Sequence, residues 1–125
     1  MTQRALVLFA HGARDPRWAV PFERLQQMTQ AQMPGVRVAL AYLELMSPTL
    51  PELASRLIAD GCLEITIVPI FLGQGGHVRR DLPLVVEQLK TAHPQVQFTV
   101  ATAAGEDAEV LNAIVRYCTE TLRKL

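Results

Sequence analysis

Three residues in this chain are of the right types and in the right places to hold a divalent metal or move protons: His11, Glu44 and His77. Each follows an apolar run of strand length. "LVLFAHGARDP", residues 6 to 16, carries a buried-strand pattern into His11, Gly12, Arg14 and Asp15. "IVPIFLGQGGHVRRDLP", residues 67 to 83, repeats the design with glycines, His77 and two arginines. Imidazole suits first-row divalent metals such as cobalt, nickel, iron and zinc, and a carboxylate balances their charge. A lone loop histidine is usually structural. Two at equivalent strand ends, each beside glycine, make a functional site the competing reading.

Other side chains surround these positions. Arg14, Arg17, Arg79 and Arg80 flank the two histidine segments and form either a solvated rim or a clamp for ligand carboxylates. Gly73, Gly75 and Gly76 fit neither GxGxxG nor a Walker A loop, so a phosphate cradle is not supported. They suit close approach of a bulky ligand to the backbone. Ser47 and Ser55 lie outside any GxSxG motif, which argues against a serine hydrolase. His93, ahead of Pro94, reads as a helix-terminus residue.

These residues could converge only if the elements between them bring strand ends to one edge. The pattern does this. Strands are expected at 4–10, 36–43, 64–72 and from 96 to about 102. Helices are expected from Trp18 to about Gln32, from Leu50 to Gly61, after "GQGGHVRR", and from about Glu106 to Arg123. The last helix is expected to turn Val110, Leu111, Ile114, Val115, Cys118 and Leu122 to the core. Pro69 is expected at a bulge. Such β-α alternation implies an α/β fold: one domain, residues 1–125, with a four-stranded parallel sheet and helices on both faces, a flavodoxin-like three-layer sandwich. Ligands bind such sheets beyond the carboxyl ends of the strands. His11, Glu44 and His77 all belong to that edge.

Composition narrows the function classes. Lysine plus arginine (12) equals aspartate plus glutamate (12), so no basic field points to nucleic acid. No apolar stretch approaches the ~18 residues of a membrane helix. The amino terminus reads as a strand, not a signal peptide. Cys62 and Cys118 form no CxxC pair and read as small buried hydrophobes in a cytoplasmic protein.

The segments "LFAHGARDP", "LELMSPTLPE" and "VPIFLGQGGHVRRDLP" together resemble the small CbiX-type chelatases, relatives of the sirohydrochlorin cobaltochelatases and ferrochelatases. Ala13 departs from the family's usual serine. The resemblance implies a class II chelatase that inserts Co²⁺ into sirohydrochlorin in cobalamin biosynthesis. Fe²⁺ insertion for siroheme is the alternative, and a non-catalytic metal or tetrapyrrole carrier is the rival from another class. By resemblance, His11, Glu44 and His77 contact the metal and serve catalysis. Arg14, Gly75, Gly76, Arg79 and Arg80 are the expected substrate-binding positions. The metal is substrate and no organic cofactor is expected. Longer chelatases of this type resemble two fused copies of such a domain, so a homodimer with the tetrapyrrole between two copies is implied.

Overall fold

The computed structural model describes residues 3–73 and 75–125, with the side chain of His77 left out of the description. Its strands are β1 (Gln3–Ala10), β2 (Arg37–Tyr42), β3 (Cys62–Pro69) and β4 (Gln97–Val100). Its helices are α1 (Val20–Gln32), α2 (Leu50–Ala59), α3 (Gly76–Ala92) and α4 (Ala108–Arg123). Short 3₁₀ turns at Pro16–Ala19 and Ala104–Glu106 precede α1 and α4.

All strand pairs are parallel, in the order β2-β1-β3-β4. The chain leaves β1 toward β2 and then crosses back to β3. The strand order therefore reverses between β1 and β3, and the crevice at that reversal is where such sheets take ligands. The two central strands are the most apolar, as a strand covered on both faces must be. Val7, Leu8, Phe9 and Ala10 are all buried, as are Ile65 and Ile67. Pro69 ends β3 opposite Phe9. The register shift expected there occurs instead at Gln3–Arg4.

One sheet face, with Val7, Phe9, Ile65, Ile67 and Phe98, packs under α2 and α3. Leu53, Leu57, Leu82 and Val86 supply the helix side of that core. On the other face, α1 covers β2. Gln26 Nε2 donates to Val38 O (2.9 Å), Gln30 Nε2 donates to Val36 O (2.7 Å), and Gln30 Oε1 accepts from Val38 N (3.0 Å). These side chains satisfy the outer backbone of an edge strand that would otherwise invite pairing.

Helix α2 starts at a capping box. The Thr49 hydroxyl accepts from Glu52 N (3.4 Å), and Glu52 Oε1 accepts from Thr49 N (3.3 Å). Losing an N-cap of this kind costs about 1 kcal/mol. Thr49→Ala is therefore expected to lower unfolding free energy by about that amount, read from urea denaturation. Gly61, at φ 94°, follows the Asp60 C-cap, and His93 caps α3, both as the sequence indicates.

Helix α4 departs from expectation. It forms where the periodicity places it, but none of its residues is buried. Ile114 is 39% exposed, Val115 58% and Leu122 72%. Leu111 and Cys118 are exposed too, and only Val110 is half-buried. The cause lies in the preceding turn. Ala101 N donates to Ile67 O (2.9 Å) and Gly105 N to Phe71 O (2.8 Å), which carries the chain across the end of β3 before α4 begins. The helix then leaves the sheet rather than lying back over it. Cys62 is buried as expected, and burial pushes its thiol pKa up; Cys118 is exposed. Among the described residues, no helix is long and apolar enough to cross a membrane.

Candidate active site

His11 is the first residue past β1, at the crevice between β1 and β3. Its position is fixed from both sides. Toward β2, Leu43 N donates to Ala10 O (2.9 Å) and Glu44 N donates to His11 O (3.1 Å), so the ladder runs two residues beyond β2. Toward β3, Ile70 N donates to Phe9 O (2.8 Å). This places the Phe71 ring against the His11 imidazole, with centroids 4.2 Å apart and planes 34° apart. Phe71 is only 4% exposed and also meets Phe9 edge-on at 5.9 Å. The imidazole thus lies against a buried aromatic wall, half-open to solvent.

Gly12 makes the turn away from β1. Its φ is 93°, and a Cβ there would sit 1.8 Å from the Glu44 carbonyl oxygen. The loop after β1 and the segment after β2 pass too closely for any side chain. His11 and Glu44, 33 positions apart in sequence, are thereby backbone neighbours.

Glu44 is exposed and lines a cleft of ≈ 330 Å³ with Leu43, Asp81, Leu84 and Val85. Sequence reasoning assigned no role to Asp81 or Phe71, although both lie in the "VPIFLGQGGHVRRDLP" segment. Gly75 is the N-cap of α3 and Gly76 its first residue, both exposed. His77 follows in the first turn of α3. Its side chain, and Gln74, lie outside the described residues. Among the described residues, no three His, Cys, Asp or Glu side chains converge on one point.

The four arginines do not form one cluster. Arg14 lines an open cleft of ≈ 400 Å³ with Glu23, Tyr42, Met46 and Ser47. Burial, then the nearby Glu23 carboxylate, pushes the Tyr42 phenol pKa up, which keeps it a proton donor in that cleft. Arg17 is engaged by Asp15, with Nη2 to Oδ2 at 2.6 Å and Nε to Oδ2 at 3.0 Å. That guanidinium holds the Asp15 carboxyl below its ordinary range. Arg79 lines a separate cavity of ≈ 310 Å³ between α3 and β4, beside Pro69, Val86, Lys90 and Val100. Arg80 is exposed and lies 3.6 Å from Asp81. Arg14 and Arg79 are thus available to anionic groups in two different clefts.

A half-open imidazole on an aromatic wall can accept protons or ligate a metal loosely, and the backbone of Glu44, whose side chain is exposed, is its neighbour. The chain is similar to known proteins over most of its length. The model of the family described as CbiX matches residues 5–121. A sirohydrochlorin cobaltochelatase from Saccharolobus solfataricus is 27% identical over 95% of this chain and 96% of its own length. One from Methanococcus aeolicus is 33% identical over 66% of this chain and 57% of its own length. Among solved structures, a cobalamin (vitamin B12) biosynthesis CbiX protein from Marinobacter aquaeolei VT8 superposes with a TM-score of 0.87, at 33% identity. That match covers 98% of this chain and 99% of the other. SirB from Bacillus subtilis subspecies spizizenii, solved in complex with cobalt, shares the fold with a TM-score of 0.82 at 20% identity. The match covers 95% of this chain and 51% of SirB.

Proposed function

The chain belongs to the CbiX family, and from that membership we propose that it inserts a divalent metal, Co²⁺ in the first place, into sirohydrochlorin. The carrying observation is the placement of His11. It stands at the strand-order reversal of a chain that is alike, end to end, to a named cobaltochelatase. The reaction has simple requirements. One M²⁺ enters the macrocycle and two pyrrole protons leave, with no change in oxidation state. The protein must therefore present the metal loosely, accept protons and hold the ring.

His11, Glu44 and His77 carry the metal and the protons in this reading. The backbone contact between His11 and Glu44 and the entry of His77 into the first turn of α3 support it. The Phe71 ring lies against the His11 imidazole, 4.2 Å between centroids, and backs it on one side. Arg14 and Arg79 pair with peripheral carboxylates of the tetrapyrrole, with Arg80 at the rim. Gly75 and Gly76, which have open space where a Cβ would stand, leave room for the ring edge. Residues 1–125 act as one domain, in the cytoplasm, with no organic cofactor. A homodimer supplies the second half of the cleft that longer, fused relatives build within one chain.

The test is an insertion assay with purified protein, sirohydrochlorin, and Co²⁺ or Fe²⁺ in turn. Multiple turnovers above the spontaneous rate, faster with Co²⁺, are expected. Stoichiometric binding without acceleration would make the protein a carrier and overturn the reading. Faster turnover with Fe²⁺ would move it to siroheme synthesis.

The arginine assignment has its own expected result. Arg14→Ala and Arg79→Ala should each raise KM more than they lower kcat, because they remove binding common to ground and transition states. The effect should shrink as salt rises, since exposed charge pairs are screened. Steady-state kinetics at two ionic strengths check both points. Arg17→Ala serves as the contrast: its guanidinium is occupied by Asp15, and its KM should stay near the parent's.

A further inference from the structure

Leu45 is unfavourably placed on two counts. Among the described residues it is the only one other than glycine with a positive φ, 67°. That left-handed region crowds Cβ against the following carbonyl, and a bulky side chain there is an outlier that glycine or asparagine would relieve. The side chain is also 57% exposed, so burial offsets little of the cost. The turn itself is accounted for. Before it, Glu44 N donates to His11 O (3.1 Å), and after it Met46 packs against the cluster of Ala10, Ala19 and Tyr42. Tyr42 N donates to Pro48 O (2.9 Å) and closes the loop. These contacts impose the left-handed backbone at position 45. They do not call for a leucine there, and strain of this kind gathers where ligands are held.

A second exposed leucine stands in the matching place on the other side of His11. Leu45 is the third residue beyond β2, and Leu72, 70% exposed, is the third beyond β3. The strand order β2-β1-β3 puts β1, with His11 just past its end, between them. The Leu72 backbone is held as well. Gly105 N donates to Phe71 O (2.8 Å), and a Cβ on Gly105 would lie 1.9 Å from the Leu72 carbonyl oxygen. Two uncovered leucines on fixed backbone thus flank the half-open imidazole at the ligand edge of the sheet. Arg14 lines the same ≈ 400 Å³ cleft as Leu45. Apolar surface beside a guanidinium fits a ligand with an apolar face and an anionic rim.

We propose that Leu45, with Leu72 on the other side of His11, bears the apolar face of the tetrapyrrole and holds the ring at the height where the imidazole meets it. The proposal rests on the metal-insertion reading above and adds to it two residues that position the substrate. A flat macrocycle is apolar on its faces and charged only at its peripheral carboxylates. Arginines at the rim grip those carboxylates but leave the ring free to tilt. Insertion depends on the distance between metal and ring, so a ledge under the face does what rim charges cannot. Fixed backbone at both leucines leaves less freedom to lose when the ring binds. That is a use for a strained turn carrying a leucine in place of a relaxed one carrying glycine.

Leu45→Gly separates strain from contact, because it relieves the left-handed backbone and removes the side chain together. Its urea midpoint should be no lower than the parent's. Metal-free sirohydrochlorin, titrated by fluorescence, should nevertheless bind it about tenfold more weakly, the scale of an apolar side chain of this size taken out of water. A leucine kept for folding would give the reverse. Leu45→Met restores an apolar side chain and should bind the ring close to the parent's affinity, while Leu72→Ser should weaken binding as Leu45→Gly does. Unlike the effect of Arg14→Ala, the Leu45→Gly loss should not shrink as salt rises, since no charge is removed. Co²⁺ affinity measured without the ring should stay near the parent's, because no metal-ligating group is touched. A fall there equal to the fall in ring affinity would show that Leu45 serves Glu44 instead of the ring, and would overturn the proposal. Parental ring affinity in Leu45→Gly would also overturn it and leave the insertion reading standing. A parent protein that neither binds nor metallates sirohydrochlorin would overturn that reading, and this proposal with it.

Discussion

His11→Ala is expected to keep the fold and lose metal insertion by about two orders of magnitude or more, the scale of a removed acid/base group. The His11 side chain is half-open, and its principal described contact is the face of Phe71. Losing an aromatic contact of this kind costs about 0.5–1.5 kcal/mol, which a core of this size tolerates. The core itself is built from Val7, Phe9, Leu57, Ile65 and Ile67 and does not involve the imidazole. His77→Ala should lose as much insertion with less loss of stability, because alanine is a good helix former in the first turn of α3. The double variant should lose less than the product of the two single losses if both imidazoles serve one event. Urea unfolding and initial insertion rates on the four proteins decide this. A variant that unfolds would mark a structural histidine. A variant that folds and inserts at the parental rate would place the site elsewhere.

The positions of the strand ends were legible because they depend on local signals. The buried run ending at Ala10, the Gly61 stop and the His93 cap are all short-range, and each stands close to where the pattern places it; β3 instead ends at Pro69, short of the expected residue 72, and α3 begins at Gly76, inside the expected loop "GQGGHVRR". The meeting of His11 with Glu44 follows from alternation alone, since a parallel sheet brings successive strand ends to one edge. What was not legible depends on non-local packing. The stripe on α4 shows up as periodicity, yet periodicity records that a face is apolar, not which surface covers it. Five of the six residues expected in the core are therefore exposed, and Val110 is half-buried. Phe71 reads as the continuation of an apolar run. Only the ladder past β3 turns its ring onto His11. Likewise Arg79 and Arg14 look equivalent beside their histidines, but α3 and the loop after β1 send them to different clefts.

The glycines show the same gap between composition and geometry, and they carry the second large effect. In sequence, the cluster at Gly73, Gly75 and Gly76 draws the eye more than Gly12. In the structure, nothing lies within 4 Å of a Cβ built on Gly75 or Gly76, and neither has a positive φ. Gly75→Ala, at the N-cap, should therefore lose and Gly76→Ala, within the helix, should gain no more than about 1 kcal/mol. Gly12 is the opposite case. Its φ of 93° lies outside the range an L side chain readily adopts, and its Cβ would overlap the Glu44 carbonyl at 1.8 Å. Left-handed backbone alone costs a residue with a side chain roughly 1–2 kcal/mol. The overlap is with backbone, so no rotamer change relieves it. The chain can respond only by moving the His11 loop away from Glu44, which stretches the Glu44 N to His11 O bond. Gly12→Ala should thus lose about 2 kcal/mol or more of unfolding free energy. It should also insert metal at least ten times more slowly at a temperature where it is fully folded, since displacements of about 1 Å at reacting groups can cost as much as 10²-fold. Because the substitution touches no functional group of His11 or Glu44, that loss would measure their spacing alone. Parental stability together with parental turnover in Gly12→Ala would show that the close passage of the two loops is not what aligns the site.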